Sequence, residues 1–216
     1  MKGSTHLAIG CAVGAAAVGY HSFNVSNSLV YIAAAAISSL CPDLDGPSML
    51  SSRISKASRT LYRSLITLAV LMTLLLIYLY AQYRIFHPEL TAATLCAILP
   101  SLILKEGVIR NTLVSLVGAA VAGAGLLPGM TWLSGFGIFV MIAPWLKHRG
   151  MTHTIWALLI WYLLSQGMER QLGIDGIALT AAAGYASHLV ADTLTSSGVK
   201  WLYPLSRITF KLPFRR

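Results

Sequence analysis

Seven carboxylates and six histidines are the only acidic and imidazole side chains in the 216 residues, so each can be weighed individually. Three of the acids and four of the histidines fall into four short segments. His6 stands near the start, Asp43 and Asp45 sit in Cys-Pro-Asp-Leu-Asp-Gly-Pro, His148 and His153 sit in His-Arg-Gly-Met-Thr-His, and His188 and Asp192 sit in Ser-His-Leu-Val-Ala-Asp. Imidazole mixed with carboxylate is the donor set of zinc, manganese, iron or nickel, whereas magnesium and calcium prefer oxygen alone. His188 and Asp192 are four apart and share one face of a helix. Asp43 and Asp45 are two apart and point the same way if that segment is extended, with Gly46-Pro47 stopping any helix there. His148 and His153 do not fit one face of a continuous helix, so a turn at Gly150 is needed to bring both inward. Together His6, Asp43, Asp45, His148, His153, His188 and Asp192 can supply one divalent ion with its outer hydrogen-bond partners, or two ions.

These residues are set in a chain that belongs in a bilayer. Hydrophobic residues make up 56% and charged residues only 11%, against about 25% charged in a soluble domain. Long stretches free of Asp, Glu, Lys and Arg mark the spans, because about 20 apolar residues cross the hydrocarbon. Residues 3–42 hold two helices with a polar break at 21–28, and residues 64–83 form one uninterrupted span. Residues 90–104 form a short span that carries Pro100. Residues 111–146 hold two helices broken at Leu127-Pro128-Gly129, and 150–168 and 176–191 complete the set. The expected fold is all-α, a polytopic membrane protein of about eight transmembrane or re-entrant helices with both termini cytoplasmic. Residues 1–216 form one integral membrane domain, in which 1–45 and 147–204 carry the motifs, 64–146 are inserted helices and 205–216 are a basic interfacial tail. Glycines at 10, 14, 19, 118, 123 and 125, with many alanines, allow close helix packing.

The charge balance is 16 Lys and Arg against 7 Asp and Glu. An eight-span topology with the N-terminus inside places fourteen of the sixteen cations on the cytoplasmic side and leaves only Arg84 and Arg170 outside, as the positive-inside rule asks. His and Asp play no part in drawing that topology, yet it brings all four motif segments to the same leaflet. Ionisable groups at membrane helices are costly and mark function by default. A cleaved signal peptide is the rival reading of residues 1–20, and it would discard His6. The basic segment from Arg53 to Arg63 reads as an interfacial helix and orientation signal. Membrane lipids are the expected partners, with anionic headgroups against the basic loops. Nucleic acid is not expected, and a homo-oligomer is compatible with the sequence. Glu89, Glu106, Glu169 and Asp175 read as solvated loop charges, His21 and His87 as helix-packing histidines, and Cys11, Cys41 and Cys96 as buried small hydrophobes.

The motifs resemble those of a bacterial inner-membrane family, the YdjM type, described as LexA-regulated, membrane-bound, metal-dependent hydrolases. The likeness lies in Thr5-His6, in Leu40-Cys41-Pro42-Asp43-Leu44-Asp45, in His148-Arg149-Gly150-Met151-Thr152-His153-Thr154, and in Ser187-His188 through Asp192-Thr193-Leu194-Thr195. It implies the same seven site residues, a hydrolytic activity and a link to the DNA-damage (SOS) response. The chain departs from the family's shorter pattern through about 100 residues between the Asp pair and His148, so the family's helix count does not carry over.

Two functions follow as expectations. The first is a hydrolase at the cytoplasmic face of the inner membrane, acting on a phosphoester with metal-activated water. In it Asp45 or Asp43 takes the proton and Arg149 binds phosphate or developing negative charge. The second is a non-catalytic metal-binding membrane protein, whether structural, sensing or transporting. A transporter should carry further ionisable groups at mid-membrane, and the spans are almost free of them.

Overall fold

The computed structural model describes residues 1–21, 25–84, 86–128 and 130–211. Among these, eight α-helices follow one another: α1 (Gly3–Tyr20), α2 (Val25–Ser38), α3 (Ser52–Tyr83), α4 (Pro88–Ile103), α5 (Glu106–Ala124), α6 (Thr131–Ile142), α7 (Ile155–Leu172) and α8 (Ile177–Thr193). Short 3₁₀ turns lie at Cys41–Asp45, Ala143–Trp145 and Met151–His153. The only extended pairing among the described residues is an isolated bridge between Val199 and Phe210. The predicted break at 21–28 is narrower than expected, since α2 already starts at Val25; residues 22–24 of it, and Gly129 of the predicted 127–129 break, lie outside the described residues.

Helices occupy the predicted places, but among the described residues only three helical stretches are long and apolar enough to cross a membrane: Asn27–Asp45, Ser52–Tyr83 and Glu106–Ala124. Pro88–Ile103 and Thr131–Trp145 are apolar but shorter. The motif-bearing helices lose apolarity to small residues. In α8 eleven of seventeen residues are buried, most of them Ala, Gly or small polar groups, so protein rather than lipid covers most of it. At 32 residues α3 is about 48 Å long, well beyond a hydrocarbon core of about 30 Å. The basic stretch from Arg53 to Arg63 is therefore the first three turns of this helix and is continuous with the span instead of a separate interfacial element.

The chain divides into two compact units, residues 53–113 and residues 1–52 with 114–216. In the first, α3 and α4 carry rows of outward-facing Leu, Ile and Tyr. Arg59 pairs with Glu106 at 3.8 Å, both about half exposed. Glu89 and Glu106 are not loop charges: they occupy the first turns of α4 and α5, where a carboxylate complements the helix dipole. Cys96 faces outward on α4, while Cys41 is buried and Cys11 intermediate. An outward position on an apolar helix meets lipid, so burial within protein is not needed there.

The second unit holds the site. Its helices α1, α2 and α8 approach backbone to backbone. A Cβ at Gly14 would lie 2.5 Å from Ile32 Cα, and one at Gly184 would lie 2.4 Å from the Ala35 carbonyl oxygen. Beside them Trp161 of α7 packs on Phe136 and Phe139 of α6 and on Tyr185 of α8. Its indole N–H donates to Ser38 Oγ at 2.9 Å, so the polar atom of a buried ring is satisfied. At the opposite end His21 closes α1 and stacks on Tyr31. Glu169, also no loop charge, lies in α7 and accepts the first free backbone N–H of α8 from Ala178 at 2.8 Å.

Candidate metal centre

Pro42 near the start of the first 3₁₀ turn settles how the Asp pair points. That segment is helical over Cys41–Asp45 and not extended as the sequence suggested. With three residues per turn, positions two apart diverge. Asp43 aims at the rings of His153 and His188, and Asp45 aims at the 148–152 loop. Gly150 makes the predicted turn, its N–H bonding to Lys147 O at 2.8 Å. The turn carries His153 fully inward, whereas His148 remains 56% exposed. His188 and Asp192 share one face of α8, and His6 reaches them from the first turn of α1. All seven residues therefore gather in one place, and His/Asp groups within it could hold a metal ion.

Hydrogen bonding fixes the imidazoles. His188 Nδ1 lies 2.7 Å from the Ser39 carbonyl, which can only accept, so this nitrogen carries the proton. Thr152 donates its hydroxyl to Asp45 Oδ2 at 2.6 Å, which leaves its lone pair to accept from His153 Nδ1 at 3.0 Å. Both protons are then on Nδ1, and the two Nε2 lone pairs face each other 3.3 Å apart. Two buried lone pairs at that distance repel unless a cation stands between them. Asp43 Oδ1 lies 3.5 Å from His188 Nε2 and 3.7 Å from His153 Nε2. Asp192 Oδ2 lies 3.9 Å from His188 Nε2 and 3.8 Å from His153 Nε2. A tetrahedral ion with bonds of 2.0–2.1 Å requires donor separations of about 3.3–3.4 Å; the two nitrogens meet it, each carboxylate oxygen exceeds it by a few tenths of an ångström from both, and the groups His6–Asp43–His188 and His153–His188–Asp192 that could hold an ion share His188. His6 stacks on His188 with ring centroids 3.8 Å apart, and its Nε2 is 3.4 Å from Asp192 Oδ1. Its Nδ1 is buried with no hydrogen-bond partner among the described residues.

Asp45 is occupied differently. Its Oδ1 accepts from His148 Nδ1 at 2.7 Å, and its Oδ2 accepts from the Arg149 N–H at 3.0 Å and from Thr152. The His148–Asp45 pair thus satisfies itself without an ion, and His148 Nε2 has no hydrogen-bond partner among the described residues. Burial alone would lower the pKa of His153, but hydrogen bonds and charge from Asp43 and Asp45 outweigh it and hold the imidazole above its ordinary value. The cluster favours a positive charge between its carboxylates, a proton in acid or a metal ion above it.

Arg149 ties the two halves together. Its Nη2 lies 2.9 Å from Asp192 Oδ2, and its Nη1 donates to the Gly198 carbonyl at 3.2 Å. The backbone there is left-handed, with φ of 58°. A non-glycine residue holds such a conformation only where its surroundings over-determine it, and here the N–H to Asp45 and the guanidinium to Asp192 do so.

Three contributors escape a reading of residue types. Thr152 orients both Asp45 and His153, Ser39 supplies a backbone carbonyl, and Tyr185 donates to the Thr152 carbonyl at 2.5 Å. Thr152 alone had a visible signal, being the neighbour of His153 within the motif. Neither a curated protein nor a solved structure matches the chain. The family model described as "YdjM inner membrane protein" matches residues 1–216, the whole chain. With the apolar helices already described, this assigns the chain to the YdjM inner membrane protein family and places it in the inner membrane.

Proposed function

We propose that the chain is a membrane-bound, metal-dependent hydrolase, its site open to the cytoplasmic face and its substrate a phosphoester of a lipid or of another membrane-delivered molecule. The observation that carries this reading is the convergence of two imidazole lone pairs with Asp43 and Asp192 beside an exposed, carboxylate-oriented His148. His153, His188, Asp43 and Asp192 would hold the ion, and zinc suits two nitrogens with two oxygens best. When bound, such a cation brings the pKa of water toward neutrality and polarises a phosphoryl oxygen.

The remaining steps belong to the chain's own groups. Asp45 keeps the proton of His148 on Nδ1, so Nε2 can accept a proton from the attacking water and return it to the leaving oxygen. Asp45 is thereby a positioning residue, since both its oxygens are taken up by His148, Arg149, Thr152 and His153. Arg149 holds Asp192 against the histidines and offers the remainder of its charge to an anionic substrate. A purely structural ion would sit among wholly buried ligands, whereas the ligand Asp43 is 21% exposed here. The cytoplasmic orientation is supported by the fourteen cations that the eight-span topology assigns to that side.

The test is turnover of phosphomonoester and phosphodiester lipids by detergent-purified protein, read beside metal content. His148→Ala should lose turnover and keep its metal; His153→Ala and His188→Ala should lose both. Normal metal content in the last two would overturn the ligand assignment, and no turnover by metal-loaded wild type on any such lipid would overturn the hydrolase reading.

A further inference from the structure

We infer that the cleft beside the ligand cluster is an anion subsite that recognises a phosphate group through Lys147 and Lys200. The cleft has a volume of about 200 Å³ and is lined by Lys147, His148, Arg149, Lys200, Tyr203 and Thr209 among others, with no carboxylate among its described lining residues. Charge changes sign between the neighbouring sites: Asp43, Asp45 and Asp192 lie within the cluster, and Lys147, Arg149 and Lys200 line the cleft. Membrane orientation accounts for Lys147 and Lys200 being on one side, but it does not require them to meet on one cavity from positions more than 50 residues apart.

The two lysines are the uncommitted charges. Arg149 is engaged with Asp192 and the Gly198 carbonyl, so it forms a wall of the cleft and its guanidinium is partly spent. Neither lysine has an ion-pair partner among the described residues. Tyr203 and Thr209 bring hydroxyls to the same space. Two ammonium groups with neutral hydroxyl donors form a phosphate-binding set.

The wall that carries Lys200, Tyr203 and Thr209 is built to a fixed shape. Val199 and Phe210 exchange both backbone hydrogen bonds, at 3.0 and 2.9 Å, and close the loop between them. Gly198 precedes this bridge with φ of 63°, and a Cβ there would lie 2.5 Å from the Phe210 carbonyl oxygen. Ile155 N–H donates to the Trp201 carbonyl, and the Trp201 indole donates to Thr193 Oγ1, so the loop is anchored on the start of α7 and the end of α8. His148 joins the two sites, with Nδ1 on Asp45 and its ring on the cleft. A phosphate seated on Lys147 and Lys200 therefore lies against the group proposed to move the proton. The subsite rests on the hydrolase reading for its place in a reaction, but its phosphate binding stands by itself.

The experiment titrates inorganic phosphate into the full chain in an uncharged detergent at low ionic strength, by calorimetry. Lys147→Gln and Lys200→Gln should each weaken binding by about 10- to 100-fold, the worth of one charge-assisted hydrogen bond, and together should abolish it, with metal content unchanged. Lys56→Gln, an exposed cation of α3, should bind like wild type. Equal binding by the double variant and wild type, or equal losses in Lys56→Gln, would overturn the subsite. Lys200→Arg should restore most of the affinity, which a folding defect at that position would not. The phosphate's source is read in nanodiscs of phosphatidylcholine with or without one-fifth phosphatidic acid. Competition by phosphatidic acid against inorganic phosphate in wild type assigns the subsite to a lipid headgroup, and lack of competition assigns it to a soluble phosphate. Phosphate binding that depends on the lysines without turnover in wild type would sink the hydrolase reading alone. Turnover with lysine-independent phosphate binding would sink the subsite alone.

Discussion

Replacing Thr152 by Val isolates the hydrogen bonding on which the assignment of the imidazole protons depends. The substitution keeps a β-branched side chain of nearly the same shape in a buried position and removes one hydroxyl. That hydroxyl donates to Asp45 at 2.6 Å and accepts from His153 Nδ1 at 3.0 Å. The first is a bond to a charged group, worth about 1.5–3 kcal/mol, and the second a neutral one worth about 1 kcal/mol. Loss of both frees the His153 ring to rotate or to change tautomer, so Nε2 is no longer reserved for the ion. Outer partners of metal-ligating histidines typically contribute 10–100-fold in affinity, and the structure leaves His153 only Asp45, at 3.3 Å, as a substitute on that nitrogen. The expected result is zinc affinity weakened by about 10–100-fold in chelator competition, with helical content unchanged by circular dichroism. Thr152→Ser, which keeps the hydroxyl, should recover most of the affinity. Wild-type affinity in a folded Thr152→Val protein would refute the proton assignment and the lone-pair argument built on it.

The raised pKa of His153 gives a pH dependence with a definite sign. In metal-free protein it adds stability fully present below the ordinary value of 6.5 and lost as pH rises through the raised value. An ion must expel that proton, so zinc affinity should climb with pH over the same window; titrations at several pH values showing constant affinity would contradict this. Gly14→Ala should destabilise the protein by about 1–3 kcal/mol, because the new Cβ meets the backbone of α2. Gly123→Ala, with nothing within 4 Å of its Cβ, should be neutral or mildly stabilising in the same thermal melts. Arg149→Lys cannot hold Asp192 and the Gly198 carbonyl together, so turnover should fall by about 10–100-fold with metal retained; unchanged turnover would remove Arg149 from the site.

The positions of the helices were readable because charge-free runs end at the polar and Pro- or Gly-bearing breaks that chain direction requires. How many of them cross the membrane was less so. A helix such as α8 is apolar in composition but is enclosed by α1, α2 and α7, and apolarity alone does not tell lipid from protein neighbours. The site residues stood out because carboxylates and imidazoles are so scarce here that four segments accounted for most of them. Their division of labour did not stand out. Spacing of two fits an extended strand or a 3₁₀ turn, and only the folded backbone sends Asp43 toward the histidines and Asp45 toward His148. Thr152 had only its place beside His153 to mark it among hydroxyls that mostly bond their own helix, as Thr73, Thr94 and Thr180 do. The Ser39 carbonyl was hidden more completely, since every residue has one.

The central claim is a single ion bound by two imidazoles and two carboxylates. X-ray absorption spectroscopy of zinc-loaded protein in membranes tests it most directly. The account predicts a first shell of nitrogen and oxygen at about 2.0–2.1 Å, with the outer-shell scattering of two histidines, which His148→Ala leaves unchanged. Sulfur in the first shell, three or more imidazoles, or loss of histidine scattering in that variant would contradict it.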